Sequence, residues 1–239
     1  MIIQDEIVKV KPQQVGDNIF ILDIPNDSII VRQLDKWRNQ MDWQEAILGD
    51  GLTVYELYDE DERDEIRHRM SEEYLNDTIL PQEKENPHCW DMGDTNFIQL
   101  NPFLNYHKVA HNVIKDYLKI EGYVHDHPSG CHWFPPSGWM GWHTNADIFG
   151  YRMYCVYAAE DNKSFIRIRD PKTKEIITSW DKKGWNFRMF LCDTDDPDNY
   201  AWHCIYSDTN RISVGFHYQL EGQPSNLEKY KNVIYSETT

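Results

Sequence analysis

Apolar positions change their rhythm near residue 130. Before it they recur at helical spacing; after it they come in short runs broken by turn residues. NIFILDIP (18–25) reads as a strand, and Asp27 or Ser28 then caps a helix with Ile30, Leu34, Trp37 and Met41 on one face. GLTVYELY (51–58) suggests a second extended piece. In EDERDEIRHRMSEEYLN (60–76) Ile66, Met70 and Tyr74 fall at helical spacing, so the charges face water. Asn101 as cap and Pro102 at the first helical position open the clearest helix, whose buried stripe is Phe103, Tyr106, Ala110, Val113 and Tyr117.

Beyond residue 130 the runs are GYRMYCVYAAE, KSFIRIRD, EIITSWD, WNFRMFLCD, YAWHCIYS and RISVGFHYQL. They are joined by EDN, DPKTK, DKKG, DTDDPDN and SDTN. SFIRIR alternates as a half-buried strand should, and the regular spacing points to an antiparallel sandwich or barrel rather than βαβ units. The expected fold class is α+β. A strand-and-helix region (1–130) packs on an all-β core (131–220), followed by a tail (221–239), all as one compact domain.

Composition narrows the function. The 239 residues carry 24 Lys and Arg against 40 Asp and Glu, a net charge of −16 that speaks against non-specific nucleic-acid binding. It favours a small-molecule, peptide or protein substrate. One region does gather Arg152, Arg167, Arg169, Lys172, Lys174, Lys182, Lys183 and Arg188, either as a local basic groove or as solvated strand edges and turns. The five cysteines (89, 131, 155, 192, 204) are odd in number, with no C-x-x-C pair, which argues against disulfides and structural zinc. No apolar run reaches the roughly 20 residues that cross a bilayer, and MIIQDEIVKVKPQQ does not read as a signal peptide. The expectation is a soluble, cytoplasmic protein.

The chemistry-bearing residues lie in the β region. His143 closes GWMGWH, His203 follows sixty residues later, and Arg211 and Ser213 share one face of RISVGF. Singly, each has an ordinary reading as a hydrogen-bonded core histidine or an ion-pairing arginine. As an ordered set, H-T-N at 143–145, His203 and R-I-S at 211–213 resemble the iron(II)- and 2-oxoglutarate-dependent oxygenases, in particular the prolyl-4-hydroxylase-like branch. The resemblance covers residues 130–220 and extends to the N-terminal half only in outline.

That resemblance implies a double-stranded β-helix (jelly-roll) core with N-terminal flanking helices, and a hydroxylase using Fe(II) and 2-oxoglutarate. It places His143, Asn145 and His203 on the metal. Arg211 and Ser213 then hold the far carboxylate of the cosubstrate, with a tyrosine, Tyr154 or Tyr151, on a facing strand. Two imidazoles and a carboxylate on one face are the usual Fe(II) set, and guanidinium suits a carboxylate.

Asn145 departs from the family pattern, because an amide brings no charge to the metal. Asp147 could supply the carboxylate, or Asn145 could be a weak ligand or bond metal-bound water. The gap could hold a halide, as in related halogenases, or the site could be inactive and the jelly roll a binding or structural module. A cupin-like metal protein that ignores 2-oxoglutarate is a third class. Other features have bland readings beside them. His107 and His111 stand four apart on a helix without an acid between them. His125, His127, Cys131 and His132 have metal-like spacing but read as a Pro/Gly-rich loop at the barrel mouth. Trp133, Trp139 and Trp142 are either entrance walls or core aromatics.

Overall fold

The period-2 alternation after residue 130 buries one face of each strand against a second sheet, while the helical stripes before it cover the outsides. The computed structural model describes residues 6–40, 53–54, 58–85, 95–100, 105–146, 149–193 and 196–225. The N-terminal part holds β1 (Val8–Val10), β2 (Gln13–Gly16), β3 (Ile19–Ile21), α1 (Ile29–Gln40) and β4 (Thr53–Val54). Next come α2 (Glu60–Arg69), α3 (Glu72–Tyr74), a π turn (Leu75–Ile79), α4 (Leu80–Glu85), β5 (Thr95–Gln99), α5 (Asn105–Tyr117) and β6 (Leu118–Ile120). Eight strands complete the fold: β7 (Tyr123–Phe134), β8 (Gly138–His143), β9 (Gly150–Ala158), β10 (Ser164–Arg169), β11 (Ile176–Trp180), β12 (Gly184–Cys192), β13 (His203–Ser207) and β14 (Arg211–Leu220).

The larger sheet runs β7-β14-β9-β12 and the smaller one β8-β13-β10-β11. All these pairings are antiparallel. This order is compatible with the expected jelly roll. β5 pairs with both β7 and β8 and closes one side of a nearly closed barrel. Beyond β12 the larger sheet continues through β3 and β2. Thus strands from the N-terminal region extend the core sheet, and the 130/131 division falls inside β7. Among the described residues, no helix is long and apolar enough to cross a membrane.

Three apolar layers follow from the alternation. Ile212, Val214, Phe216 and Tyr218 of β14, with Met153 and Cys155 of β9, pack outward against Ile30, Leu34 and Trp37 of α1 and Ala110, Val113 and Ile114 of α5. The smaller sheet turns Trp139, Trp142, Cys204 and Tyr206 outward against Ile66, Met70, Leu75 and Ile79. Between the sheets lie Phe134, Met140, Ile166, Ile168, Phe190 and Ile205. Trp139 and Trp142 are therefore core aromatics rather than entrance walls, and Trp142 donates its Nε1–H to the Ser71 carbonyl (3.2 Å). Trp133 also faces the outer core and bonds Asn210 (3.1 Å).

Local expectations met mixed outcomes. Ser28 does accept from the Val31 amide and starts α1. The 60–76 segment is broken at Met70, because Ser71 turns its hydroxyl onto the Tyr74 amide and begins a new helix. The Asn101–Pro102 start, Phe103, Met41 and most of 51–58 lie outside the described residues; the described helix is Asn105–Tyr117. The HDHPSGCHW segment is strand β7, not a loop. Register shifts between Val214 and Phe216 and between His217 and Tyr218 absorb its irregularity where Pro128 lacks an amide hydrogen.

The β7–β8 turn is tight. Gly138 donates to the Pro135 carbonyl at 2.7 Å, and a Cβ at Gly138 would stand 2.7 Å from that oxygen and 2.9 Å from the Phe134 Cα. Gly138→Ala is expected to cost about 1–3 kcal/mol by forcing this backbone apart. Urea denaturation of wild type and variant would read it as a lower midpoint with an unchanged slope.

Candidate metal centre

His143 ends β8 and His203 begins β13, and the antiparallel register sets them directly opposite each other. Alternation directs both rings between the sheets, since their neighbours Trp142 and Cys204 face out. The ring centres are 4.0 Å apart and the residues are 5% and 1% exposed. Each ring bonds, through Nδ1, the backbone carbonyl two residues earlier: Gly141 for His143 and Ala201 for His203, both at 2.8 Å. With Nδ1–H donating, each Nε2 keeps its lone pair. Burial pushes the His143 imidazole down to about 4, against the pull of the Gly141 carbonyl and helped by the charge of Arg152. Burial and the neighbouring His143 hold His203 well below the ordinary range. Both rings are therefore neutral at pH 7, the form that ligates a metal.

Asn145 joins them. Its Nδ2 lies 3.0 Å from His203 Nε2, so the amide donates to the nitrogen a metal would use. Its backbone is left-handed, φ 52°, a conformation that asparagine tolerates better than most residues. Local geometry thus gives Asn145 a reason to be there besides ligation. Asp147 lies outside the described residues. Among the described residues no group of three His, Cys, Asp or Glu side chains converges as a metal site. Two imidazoles bound side by side to one ion at ~2.1 Å would have ring centres about 4.5 Å apart, close to the spacing here. The imidazole pair fits a metal ion; the third described donor is a neutral amide that must turn away from His203 to let it in.

Arg211 enters at the other end of the barrel, paired with Ala158 and Phe134. It is 1% exposed, and its Nε donates to Asp181 at 2.9 Å. Asp181 is fully buried and also receives Arg188 Nη1 (2.6 Å) and the Ser164 hydroxyl (2.5 Å). Arg188 continues to the Ser179 and Trp180 carbonyls, tying β12 to β11 across the side that β5 leaves open. Burial alone would raise the Asp181 carboxyl; the Arg188 and Arg211 guanidiniums outweigh it and hold it below the usual range. One carboxylate faces two guanidiniums, leaving one positive charge in excess, and Arg211 Nη1 is buried without a partner. Such an orphaned donor fits an external carboxylate, although half of the Arg211 fork is already engaged. Ser213 is buried on the same inner face. Tyr154 also faces in, 5.7 Å from Phe190. Tyr151 faces the outer core and bonds Asn18 (3.2 Å), which removes it as the alternative.

The other candidates separate. Along β7, His127 turns inward and His125 outward, where it meets His111 of α5 at 4.8 Å; Cys131 lies in the outer core and His132 against Phe97. These four cannot share one ion. The side chain of His107 is outside the described residues. The basic group is no single groove, because Arg152 and Arg188 are buried inside the barrel. Sequence reading passed over Asp181, His217 and Gln219. The alternation of RISVGFHYQL could have flagged the last two beside Arg211, whereas Asp181 sits in a turn that gave no signal.

No family model matches this chain, and no curated protein does. Solved structures similar to it include two oxygenase-type proteins. One is an oxidoreductase of the 2OG-Fe(II) oxygenase family from Burkholderia pseudomallei, 10% identical, with a TM-score of 0.35 over 52% of this chain and 66% of that one, just under two thirds of its length. The other is a Pseudomonas putida prolyl-4-hydroxylase, 12% identical, with a TM-score of 0.31 over 64% of this chain and 90% of that one. At those scores neither likeness carries weight for fold or function, and the assignment below stands on this chain's own residues.

Proposed function

We propose that this chain is a non-haem Fe(II)- and 2-oxoglutarate-dependent oxygenase, a hydroxylase of a small-molecule, peptide or protein substrate. The observation that carries the reading is the convergence of His143 and His203, neutral and opposite each other inside the barrel. The pair would hold Fe(II) through Nε2, completed by Asn145 or Asp147. Arg211, Ser213 and Tyr154 would receive the cosubstrate. Bound together, the ion and 2-oxoglutarate supply the oxidising power for hydroxylating a C–H bond. The protein's part is to fix the two imidazoles by their Nδ1–H bonds and keep both rings uncharged. It also shields the site between two sheets.

Anaerobic calorimetry with Fe(II) tests the reading. Wild type is expected to bind one ion, and His143→Ala or His203→Ala to bind at least tenfold more weakly. Asn145→Asp should tighten binding by adding a charge. Succinate formation dependent on both Fe(II) and 2-oxoglutarate would complete the support. Wild-type protein that binds neither would leave the barrel a binding or structural module.

A further inference from the structure

Among the described residues, Arg152 is a buried cation with no carboxylate of its own. On β9 it stands opposite Phe190 of β12 on one side and His217 of β14 on the other, and His217 stands opposite His127 of β7. Residues directly opposite share a face, so these four form one row across the inside of the larger sheet. The Phe190 ring lies 4.8 Å from the His203 ring, which sets the row level with the imidazole pair. Arg211 is six positions from His217 along β14, so the two arginines stem from different levels of the barrel wall.

Several polar atoms in and beside this row have no partner among the described residues. Arg152 is 6% exposed; Nη1 donates to the Ser129 hydroxyl at 2.7 Å, while Nε has no partner. His217 is 1% exposed, and neither ring nitrogen is bonded. Gln219, the next inward residue of β14, is 4% exposed, and its Nε2 is unbonded. The acid beside the row, Asp126, bonds His127 at 3.1 Å. Burying a guanidinium without a counter-charge is costly, and several orphaned groups together in a folded interior ask for a missing partner. Burial keeps His217 neutral, so the row offers one positive charge plus uncharged donors. That matches a singly charged carboxylate, which guanidinium grips by a fork of N–H bonds, better than a doubly charged phosphate.

We propose that Arg152, His217 and Gln219 form a binding site for a carboxylate group of a small organic acid, inside the barrel beside His143 and His203. The site needs no metal and stands apart from the oxygenase reading.

Calorimetry on metal-free, full-length protein tests it, with acetate, succinate and 2-oxoglutarate as probes and succinamide and inorganic phosphate as controls. Wild type should bind one or more of the acids saturably and neither control. Arg152→Gln should bind them at least tenfold more weakly, with Arg152→Lys between. Without ligand, Arg152→Gln should melt no lower than wild type, because the charge it removes meets no carboxylate among the described residues. Should a variant fail to fold, nitrogen-15 shifts of the Arg152 Nε and the His217 ring in wild type decide: movement on adding succinate supports the site, and none overturns it. Absence of saturable acid binding by wild type, equal affinity in Arg152→Gln, or phosphate binding as tight as succinate would each overturn it. Arg152→Gln that binds acids as wild type does while still releasing succinate would sink this site and leave the oxygenase reading standing. Acid binding lost in Arg152→Gln, with no turnover by wild type, would do the reverse.

Discussion

Asp181→Ala is expected to lower the unfolding free energy by about 3–5 kcal/mol, the usual cost of removing one partner from a buried ion pair. Asp181 is fully buried, and its carboxylate is the shared acceptor of Arg188, Arg211 and the Ser164 hydroxyl. Its loss leaves two guanidiniums facing each other in a dry interior, and it unties β10, β12 and β14 at one end of the barrel. Arg188 keeps its bonds to the Ser179 and Trp180 carbonyls, so the larger penalty falls on Arg211, whose only bonded nitrogen among the described residues is Nε. Urea unfolding followed by tryptophan fluorescence would measure the effect. Asp181→Ala combined with Arg211→Met should recover part of the loss, because the stranded charge is gone. A change below about 1 kcal/mol in the single variant would mean that the cluster is solvated and not a buried triad.

Acidification should weaken the metal-free protein between pH 7 and pH 5. His143, His203 and His217 are buried, and burial holds each below the ordinary histidine value, His143 at about 4. In the unfolded chain they return to about 6.5. As pH falls below that value the unfolded state takes up protons that the folded state refuses, so stability drops. The loss continues until the folded pKa is reached and levels off below it. Each such histidine contributes about 2 kcal/mol over these two pH units, a large share of the 5–15 kcal/mol typical of a domain. Urea midpoints at pH 7, 6 and 5 would show the slope, and His143→Gln should flatten it by about one proton. A midpoint independent of pH across this range would show that the rings titrate in the folded state as they do in the unfolded chain.

Parts of the site were legible because strand alternation is a local property. RISVGF and SFIRIR declare which residues share a face, so Arg211 and Ser213 could be placed together on an inner wall. The pairing of His143 with His203 was expected only from order and spacing, and the register of β8 on β13 realises it. Asp181 was invisible because nothing in DKKG distinguishes a buried turn carboxylate from a solvated one. β7 was misread because Pro128, Gly130 and Ser129 carry turn signals. Two register shifts against β14 outweigh those signals by pairing the rest of the strand.

The roles of the tryptophans show the same limit from the other side. Composition promised an aromatic core, yet whether Trp133, Trp139 and Trp142 faced the cavity or, as all three do, the outer cores depended on the pleat of β7 and β8. A shift of one residue in register would have reversed every assignment. Pleating likewise separates Tyr154 from Tyr151 on β9 and His127 from His125 on β7, residues that composition and spacing alone could not tell apart.

By itself, then, the chain determined the β-rich second half, the helical stripes that cover it and the candidate histidines, since periodicity and residue type act over a few neighbours. Only the tertiary structure decided that Arg211 answers to Asp181, that Asn145 rests on His203, and that Arg152 stands in line with His217 without an acid. Those outcomes depend on which strands become neighbours and on how deeply they are buried. Burial converts a charge that is cheap in water into one that must find a partner.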